Sequence, residues 1–296
     1  MQPTKRPIVV TGAEGQLGFE LCRQLGERAI GLARGQCNLT DITRTVETLK
    51  ELHPSIVINT AAYTAVDRAE SEAALCHAVN ADAVAMLADR CRELDCVLVQ
   101  ISTDYVFGAD HARQTPYQED DEPGPINVYG HSKLAGERHA ASWRKHFIVR
   151  SCGLYGYRSK PTQSNFVDTM LRLSRERDRL RIVDDQHCSP SYVVHLAQAI
   201  LFLMQSQAYG IYHVVNDGET TWYDFAREIF RLAGASTTTD RISAAEYGSV
   251  ANRPRYSVLG TDKYRALGGP TLPHGKLALA EYLQSLGRRS EDPHSG

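Results

Sequence analysis

Three glycines, Gly12, Gly15 and Gly18, separate the apolar run Ile8-Val9-Val10-Thr11 from a stretch carrying Leu17, Leu21 and Leu25 at helical spacing. A chain that passes from strand to helix through so few residues needs a tight turn, which Gly12 permits, and a close helix–strand approach, which Gly18 permits. Gly15 lets backbone N–H groups approach an anion that faces the helix N-terminus. Short β-rich runs at 8–11, 29–33, 56–59, 97–101 and 147–150 then alternate with helical patterns at 17–26, 43–52, 71–94 and 129–142. This alternation predicts an α/β fold built on a doubly wound parallel sheet of the Rossmann type.

Beyond Ser151 the regularity loosens. Helical patterns at 164–177 and 192–206 flank a loop rich in Asp, Ser and Pro at 184–191, and an apolar run at 211–215 is expected to return to the main sheet. At 296 residues the chain exceeds the size at which one core usually keeps growing. The expected organisation is therefore a dinucleotide-binding domain over 1–150 plus the returning strand, and a smaller, discontinuous substrate-binding lobe over 151–287. Residues 288–296 contain nothing apolar and read as a disordered tail.

Composition narrows the function. A formal net charge of −2 supplies no basic field for phosphate backbones, so nucleic acid is not an expected partner. No apolar run approaches the roughly 20 residues that span a bilayer, and the early first strand leaves no room for a signal peptide. Seven scattered cysteines without a C-x-x-C pair do not form a disulfide framework, which places the chain in a reducing cytoplasm. Eleven histidines lack H-E-x-x-H or similar spacing, so no metal site is expected.

Chemistry concentrates in two segments. Ser102-Thr103-Asp104-Tyr105-Val106-Phe107 ends the fourth predicted strand, and Tyr129-Gly130-His131-Ser132-Lys133 opens a helix. Tyr129 and Lys133, at i and i+4, share a helix face, so the ammonium can lower the phenol pKa and make the tyrosine a proton donor near neutral pH. Thr103 can donate a hydrogen bond to an oxygen that gains charge as hydride arrives beside it. Arg34 lies about 20 residues past the glycine loop, where an acid would bind a ribose 2′-hydroxyl and an arginine favours a 2′-phosphate. NADPH is the expected cofactor, with NADH as the alternative. Asn80 faces the sheet or the solvent equally well on this reading. Glu119-Asp120-Asp121-Glu122 reads as a solvated loop.

Taken together, Gly12-x-x-Gly15-Gln16-Leu17-Gly18, Asn59-Thr-Ala-Ala-Tyr-Thr-Ala-Val66-Asp67, Ser102–Phe107, Tyr129-Gly-x-Ser-Lys133-Leu-Ala-Gly-Glu137, Asn165-Phe166, Asp185-Gln186, Thr220-Thr-Trp222 and Arg253-Pro-x-x-Ser257-x-Leu259 resemble the dTDP-4-dehydrorhamnose reductases, a group of extended short-chain dehydrogenases. The resemblance implies hydride transfer from NADPH or NADH to the C4 carbonyl of a nucleotide-linked 4-keto-6-deoxy sugar, by a homodimer in some members. It makes Thr103, Tyr129 and Lys133 the catalytic trio, with Lys133 also on the nicotinamide ribose. It adds Gln16, Leu17, Ala61, Ala62 and Tyr63 to the cofactor residues Gly12, Gly15, Gly18 and Arg34. It assigns Val66, Asp104, Asn165, Phe166 and Arg253 to the sugar nucleotide: Asn165 for a base edge, Phe166 for stacking or core packing, and Arg253 for the diphosphate.

Departures gather around the sugar. The tryptophan common after the Arg-Thr-Ser stretch is Gly153 here, and Cys188 replaces a common glycine. The loss of a large ring at Gly153 leads to the expectation of an open pocket, filled by Tyr155, by Tyr192 or by a bulkier sugar. Alternatives remain: another nucleotide-sugar reductase or epimerase, a dehydratase, or a non-catalytic regulatory subunit resembling the β subunit of methionine adenosyltransferase. A dehydratase needs an acid pair after the threonine, and Tyr105 follows Asp104 instead.

Overall fold

The computed structural model describes residues 6–159 and 165–291. Its strands in chain order are β1 (Ile8–Thr11), β2 (Ala29–Leu32), β3 (Ile56–Asn59), β4 (Val97–Thr103), β5 (His146–Ser151), β6 (Arg179–Val183), β7 (His187–Cys188), β8 (Gly210–His213), β9 (Thr220–Thr221) and β10 (Thr238–Ile242). The helices are α1 (Gln16–Leu25), α2 (Ile42–Leu52), α3 (Val66–Ala69), α4 (Ala73–His77), α5 (Ala83–Glu93), α6 (Val128–Ala141), α7 (Phe166–Glu176), α8 (Val193–Leu203), α9 (Trp222–Ala233), α10 (Ala244–Tyr247), α11 (Asp262–Ala266) and α12 (Gly275–Glu291).

The main sheet has the order β2-β1-β3-β4-β5-β8, every pair parallel. Parallel strands are covered on both faces, which is why these runs are almost continuously apolar. Val9, Val57, Leu98 and Ile148 face Leu49 of α2, Leu87 of α5 and Ala140 of α6. Val10, Ile58, Val99 and Val149 face Leu21 of α1 and Leu196 and Ile200 of α8. The chain reverses its direction of growth across the sheet between β1 and β3, so a crevice opens at their carboxyl ends, where ligands bind in such folds.

The run at 211–215 does join the main sheet: β8 pairs with β5 in register, Arg150 opposite His213. The intervening and following segments build two small sheets, β6 with β10 and β7 with β9. Two expectations need correcting. α12 continues through Glu291, so an unstructured tail does not begin at Arg288; residues 292–296 lie outside the described residues. The helix expected over 71–94 is interrupted by a π-helical turn at Ala78–Asp82. Its cause is the crossing of α6, where a Cβ at Gly136 would stand 2.1 Å from the Asn80 carbonyl oxygen.

Candidate active site

The glycine loop runs along the crevice. Gly12 has φ +69°, and a Cβ there would lie 2.7 Å from the Ala61 amide nitrogen. At Gly18 a Cβ would lie 2.4 Å from the Gly12 carbonyl oxygen and 2.7 Å from Thr60 Oγ1. Both positions therefore exclude any side chain. Gly15 differs: it is exposed and caps α1 without a side-chain bond, leaving the first N–H groups of a ten-residue helix facing outward. A pyrophosphate fits that set of donors. Leu17 is buried in the core, so its contribution to the loop is its backbone. Gln16 Nε2 donates to the Leu154 carbonyl at 3.3 Å and its Oε1 accepts from Asn165 at 2.9 Å, tying the loop to the opposite lobe.

Ala61, Ala62 and Tyr63 follow β3 and are half-buried. Asn80, in the π-helical turn, accepts from the Tyr63 amide at 2.9 Å and donates to the Tyr63 carbonyl at 3.1 Å and to Ser132 Oγ at 3.0 Å. It thus fixes the loop after β3 against α6, a role that a local helix pattern does not reveal. Arg34 stands just beyond β2, exposed, and makes no side-chain hydrogen bond or ion pair among the described residues. It is free to meet a phosphate.

The carboxyl end of β4 delivers Thr103, 6% exposed. Its Oγ1 accepts from the Tyr105 amide at 3.2 Å and donates to Asp104 Oδ1 at 3.0 Å. Asp104 Oδ2 accepts from Ser257 Oγ at 2.6 Å. Asp104 is 2% exposed and burial pushes its carboxyl up. Asp104, assigned to the sugar nucleotide on resemblance, is therefore occupied inside the protein, where it orients Thr103.

α6 begins at Asn127, whose side chain caps it by accepting from the Gly130 amide at 2.7 Å. Tyr129 follows, half-buried, its ring edge-on to Tyr105 at 5.8 Å. Loss of water around the phenol pushes its pKa up, and a hydrogen bond with Thr103 opposes that shift. Thr103 and Tyr129 are thus brought together. Lys133 lies one turn on, 4% exposed, and its Nζ donates to the Ile101 carbonyl at 2.5 Å. Desolvation lowers its pKa to about 8, against the pull of Glu137. The expected lowering of the tyrosine pKa by this ammonium is corrected: Lys133 reaches back to β4 rather than to the phenol. That carbonyl also accepts from Gln100 Nε2 at 2.8 Å, and Gln100 continues through Asn59 to Thr11 by bonds of 2.8 and 2.6 Å. A buried polar chain therefore joins Lys133 to the strand before the glycine loop.

The remaining candidates are engaged elsewhere. Asn165 caps α7 by accepting from the Asp168 amide at 2.9 Å while donating to Gln16, so neither end of its amide is open for a base edge. Phe166 packs against Trp222 and Phe225, with ring centroids 4.7 and 5.8 Å away. Arg253 forms a two-pronged ion pair with Asp67, 3.1 and 2.9 Å, and donates to the Ala251 carbonyl. Val66 begins α3 beside that pair, half-buried. The open space expected at Gly153 is absent: a Cβ there would meet Trp222 at 3.1 Å and the Pro190 Cα at 3.2 Å, on a backbone with φ +51°. Trp222 covers the position, while Tyr155 and Tyr192 stack on each other in the core at 5.7 Å.

A cavity of about 480 Å³ lies elsewhere, lined by Asp217, Arg227, Glu228, Arg231 and Lys276, with none of Thr103, Tyr129 or Lys133 among its walls. Convergent chemistry, rather than cavity size, marks the reactive centre. No cluster of three or more metal-ligating side chains occurs among the described residues.

A glycine turn at the switch point of a doubly wound sheet, with Thr103 and Tyr129 brought together at the carboxyl end of β4 and Lys133 one helical turn on, fits an NAD(P)H-dependent oxidoreductase of the short-chain type. The chain belongs to the family described as RmlD substrate binding domain, whose model matches residues 5–288. It is 41% identical to dTDP-4-dehydrorhamnose reductase of Streptomyces griseus over 100% of this chain and 99% of that protein. It is 37% identical to dTDP-4-keto-6-deoxy-D-glucose reductase of Streptomyces niveus over 94% and 96% of the two chains. Among solved structures, dTDP-4-dehydrorhamnose reductase from Bacillus anthracis in complex with NADP superposes with a TM-score of 0.90 at 37% identity, covering 95% of this chain and 100% of that one.

Proposed function

We propose that this protein reduces the C4 carbonyl of a nucleotide-linked 4-keto-6-deoxy sugar with NADPH, as a dTDP-4-dehydrorhamnose reductase or a close counterpart. The observation that carries this reading is the meeting of Thr103 and Tyr129 at the carboxyl end of β4, the same edge of the parallel sheet at which the glycine turn leaves β1. The cofactor supplies hydride. Thr103, whose hydroxyl proton rests on Asp104, turns that proton to the carbonyl oxygen as the oxygen gains charge, and Tyr129 delivers its own proton to that oxygen. A phenol held above its ordinary pKa stays protonated until negative charge develops beside it, so it acts as an acid only when needed. Lys133 fixes the ribose side of the site.

The outward N–H groups at Gln16 and Leu17 hold the pyrophosphate, and Arg34 pairs with the 2′-phosphate. On the sugar side, Val66, Phe166 and Arg253 border the substrate, with Arg253 pre-set by Asp67 toward the diphosphate. Residues 1–150 with β8 form the cofactor domain, and 151–287 form most of the sugar lobe. No helix among the described residues is long and apolar enough to cross a membrane. All seven cysteines are free thiols, in keeping with a reducing compartment such as the cytoplasm, and the partners we propose are a nucleotide-sugar substrate and a second copy of this chain. Turnover against a panel of nucleotide-linked 4-keto sugars, followed as NADPH oxidation, tests the reading. Absence of oxidation with every member would overturn it.

A further inference from the structure

One turn beyond Lys133 on α6, Glu137 is 3% exposed and its carboxylate accepts three hydrogen bonds. It accepts from Ser102 Oγ at 2.5 Å and from Arg150 Nε and Nη2 at 3.0 and 2.8 Å. Arg150, on β5 and 1% exposed, lies opposite Ser102 of β4 and opposite His213 of β8. Its Nη1 approaches His213 Nε2 at 3.3 Å. His213 Nδ1 meets the Tyr117 carbonyl at 3.0 Å, and a carbonyl only accepts, so the proton is on Nδ1 and Nε2 is the acceptor for Arg150. Burial drives the His213 pKa down to about 3, so the ring is neutral and Arg150 leans on Glu137 for charge. The Arg150 guanidinium also lies 5.1 Å from the Phe107 ring centre.

Burying such a pair is costly unless geometry repays it, and here three strands and one helix are committed to holding one carboxylate in place. Its neighbours are Lys133 at i−4 and Ser102, which adjoins the Ile101 carbonyl that Lys133 binds. Resting on the catalytic reading above, we propose that Glu137 is a positioning residue, the fixed counter-charge that keeps the buried Lys133 ammonium charged and docked on β4 beside Tyr129. Arg150 and Ser102 serve by orienting Glu137. Other groups facing Lys133 do not replace it. Cys76, from α4, is a buried thiol whose pKa burial raises. Asp104, beyond Thr103, is turned to Ser257 and Thr103. Tyr129 and Tyr105 are both held in the neutral form by desolvation.

The test is the pH dependence of kcat/KM for Glu137→Gln, with NADPH binding measured across the same range. In the unmodified protein the alkaline limb is expected near the Lys133 pKa of about 8. Without the carboxylate the ammonium is easier to deprotonate, so the limb moves to lower pH by about one unit, and NADPH affinity falls with it. Glu137→Asp keeps the charge but withdraws it by one methylene. It should restore most of the shift, and it carries the test with a smaller displacement if Glu137→Gln does not fold. A merely structural role lowers thermal stability in both variants and leaves the limb where it was, and that result overturns the proposal. Lys133→Met separates the two readings. If it keeps turnover and the alkaline limb, the catalytic assignment fails; if it removes the limb while neither Glu137 variant moves it, only the positioning role fails.

Discussion

The two sides of the crevice use their side chains in opposite ways. On the proposed cofactor side the groups on offer are the backbone amides of Gln16 and Leu17 at the start of α1 and one unattached guanidinium, Arg34, all left open by the fold. On the proposed sugar side Asp104, Asn165 and Arg253 already have protein partners, Ser257, Gln16 and Asp67. A cofactor can thus dock on a surface set by chain geometry, while a sugar nucleotide meets a pre-wired network that it borders or must compete with. Substitutions on the first side should act locally, and those on the second should spread.

Tyr129→Phe gives the largest effect expected. The ring stays against Tyr105, so NADPH binding persists while turnover falls by about 10²-fold or more, the usual scale for losing a general acid. Cofactor titration beside steady-state rates checks it, and near-normal turnover would remove Tyr129 from the mechanism. Next comes Gly153→Trp. Because Trp222 and the Pro190 backbone occupy the space and φ is +51°, the variant should lose on the order of 1–3 kcal/mol or more of stability and gain no activity. Thermal melts decide this; a stable variant with improved turnover would bring back the open pocket.

Arg34→Ala is expected to cost about 1–3 kcal/mol in NADPH affinity and nothing in NADH affinity, erasing the preference between them. Equal affinity of the unmodified protein for both cofactors would break the contrast on its open side. The smallest effect belongs to Asp67→Asn. The Arg253 guanidinium holds the Asp67 carboxyl below its ordinary pKa, so the stabilisation is present above the unfolded carboxylate range near 4 and is lost as pH falls through the lower folded value. Asp67 is 45% exposed, so the loss in a neutral-pH melt should stay under about 1 kcal/mol. A larger loss would mean that α3 depends on this pair more than its exposure suggests.

The open side was also the legible one. Gly12 and Gly18 can be read from a sequence because steric exclusion allows one residue type, and β1, β3, β4 and β5 can be read because sheets covered on both faces demand apolar runs. Tyr129 and Lys133 were legible as an i, i+4 pair, but not the direction of Lys133, which is set by a carbonyl 32 residues away. Partner choice on the sugar side depends on still longer separations, 149 residues for Asn165 with Gln16 and 186 for Arg253 with Asp67. No local pattern encodes those. The π-helical turn at Asn80 likewise comes from the close crossing of α6 at Gly136, a tertiary constraint on residues that otherwise read as helix. β6 alternates buried with charged, exposed positions, β10 buries only its last residue, Ile242, and the two pair with each other, which makes them weaker signals than the central strands.

The most direct measurement supplies NADPH deuterated on the transferred face of the nicotinamide together with a nucleotide-linked 4-keto-6-deoxy sugar, then reads the product by NMR. The account predicts that deuterium appears at sugar C4, that one NADPH is consumed per sugar reduced, and that Tyr129→Phe suppresses both. Sugar conversion without net consumption of NADPH, or deuterium at any other carbon, would contradict it.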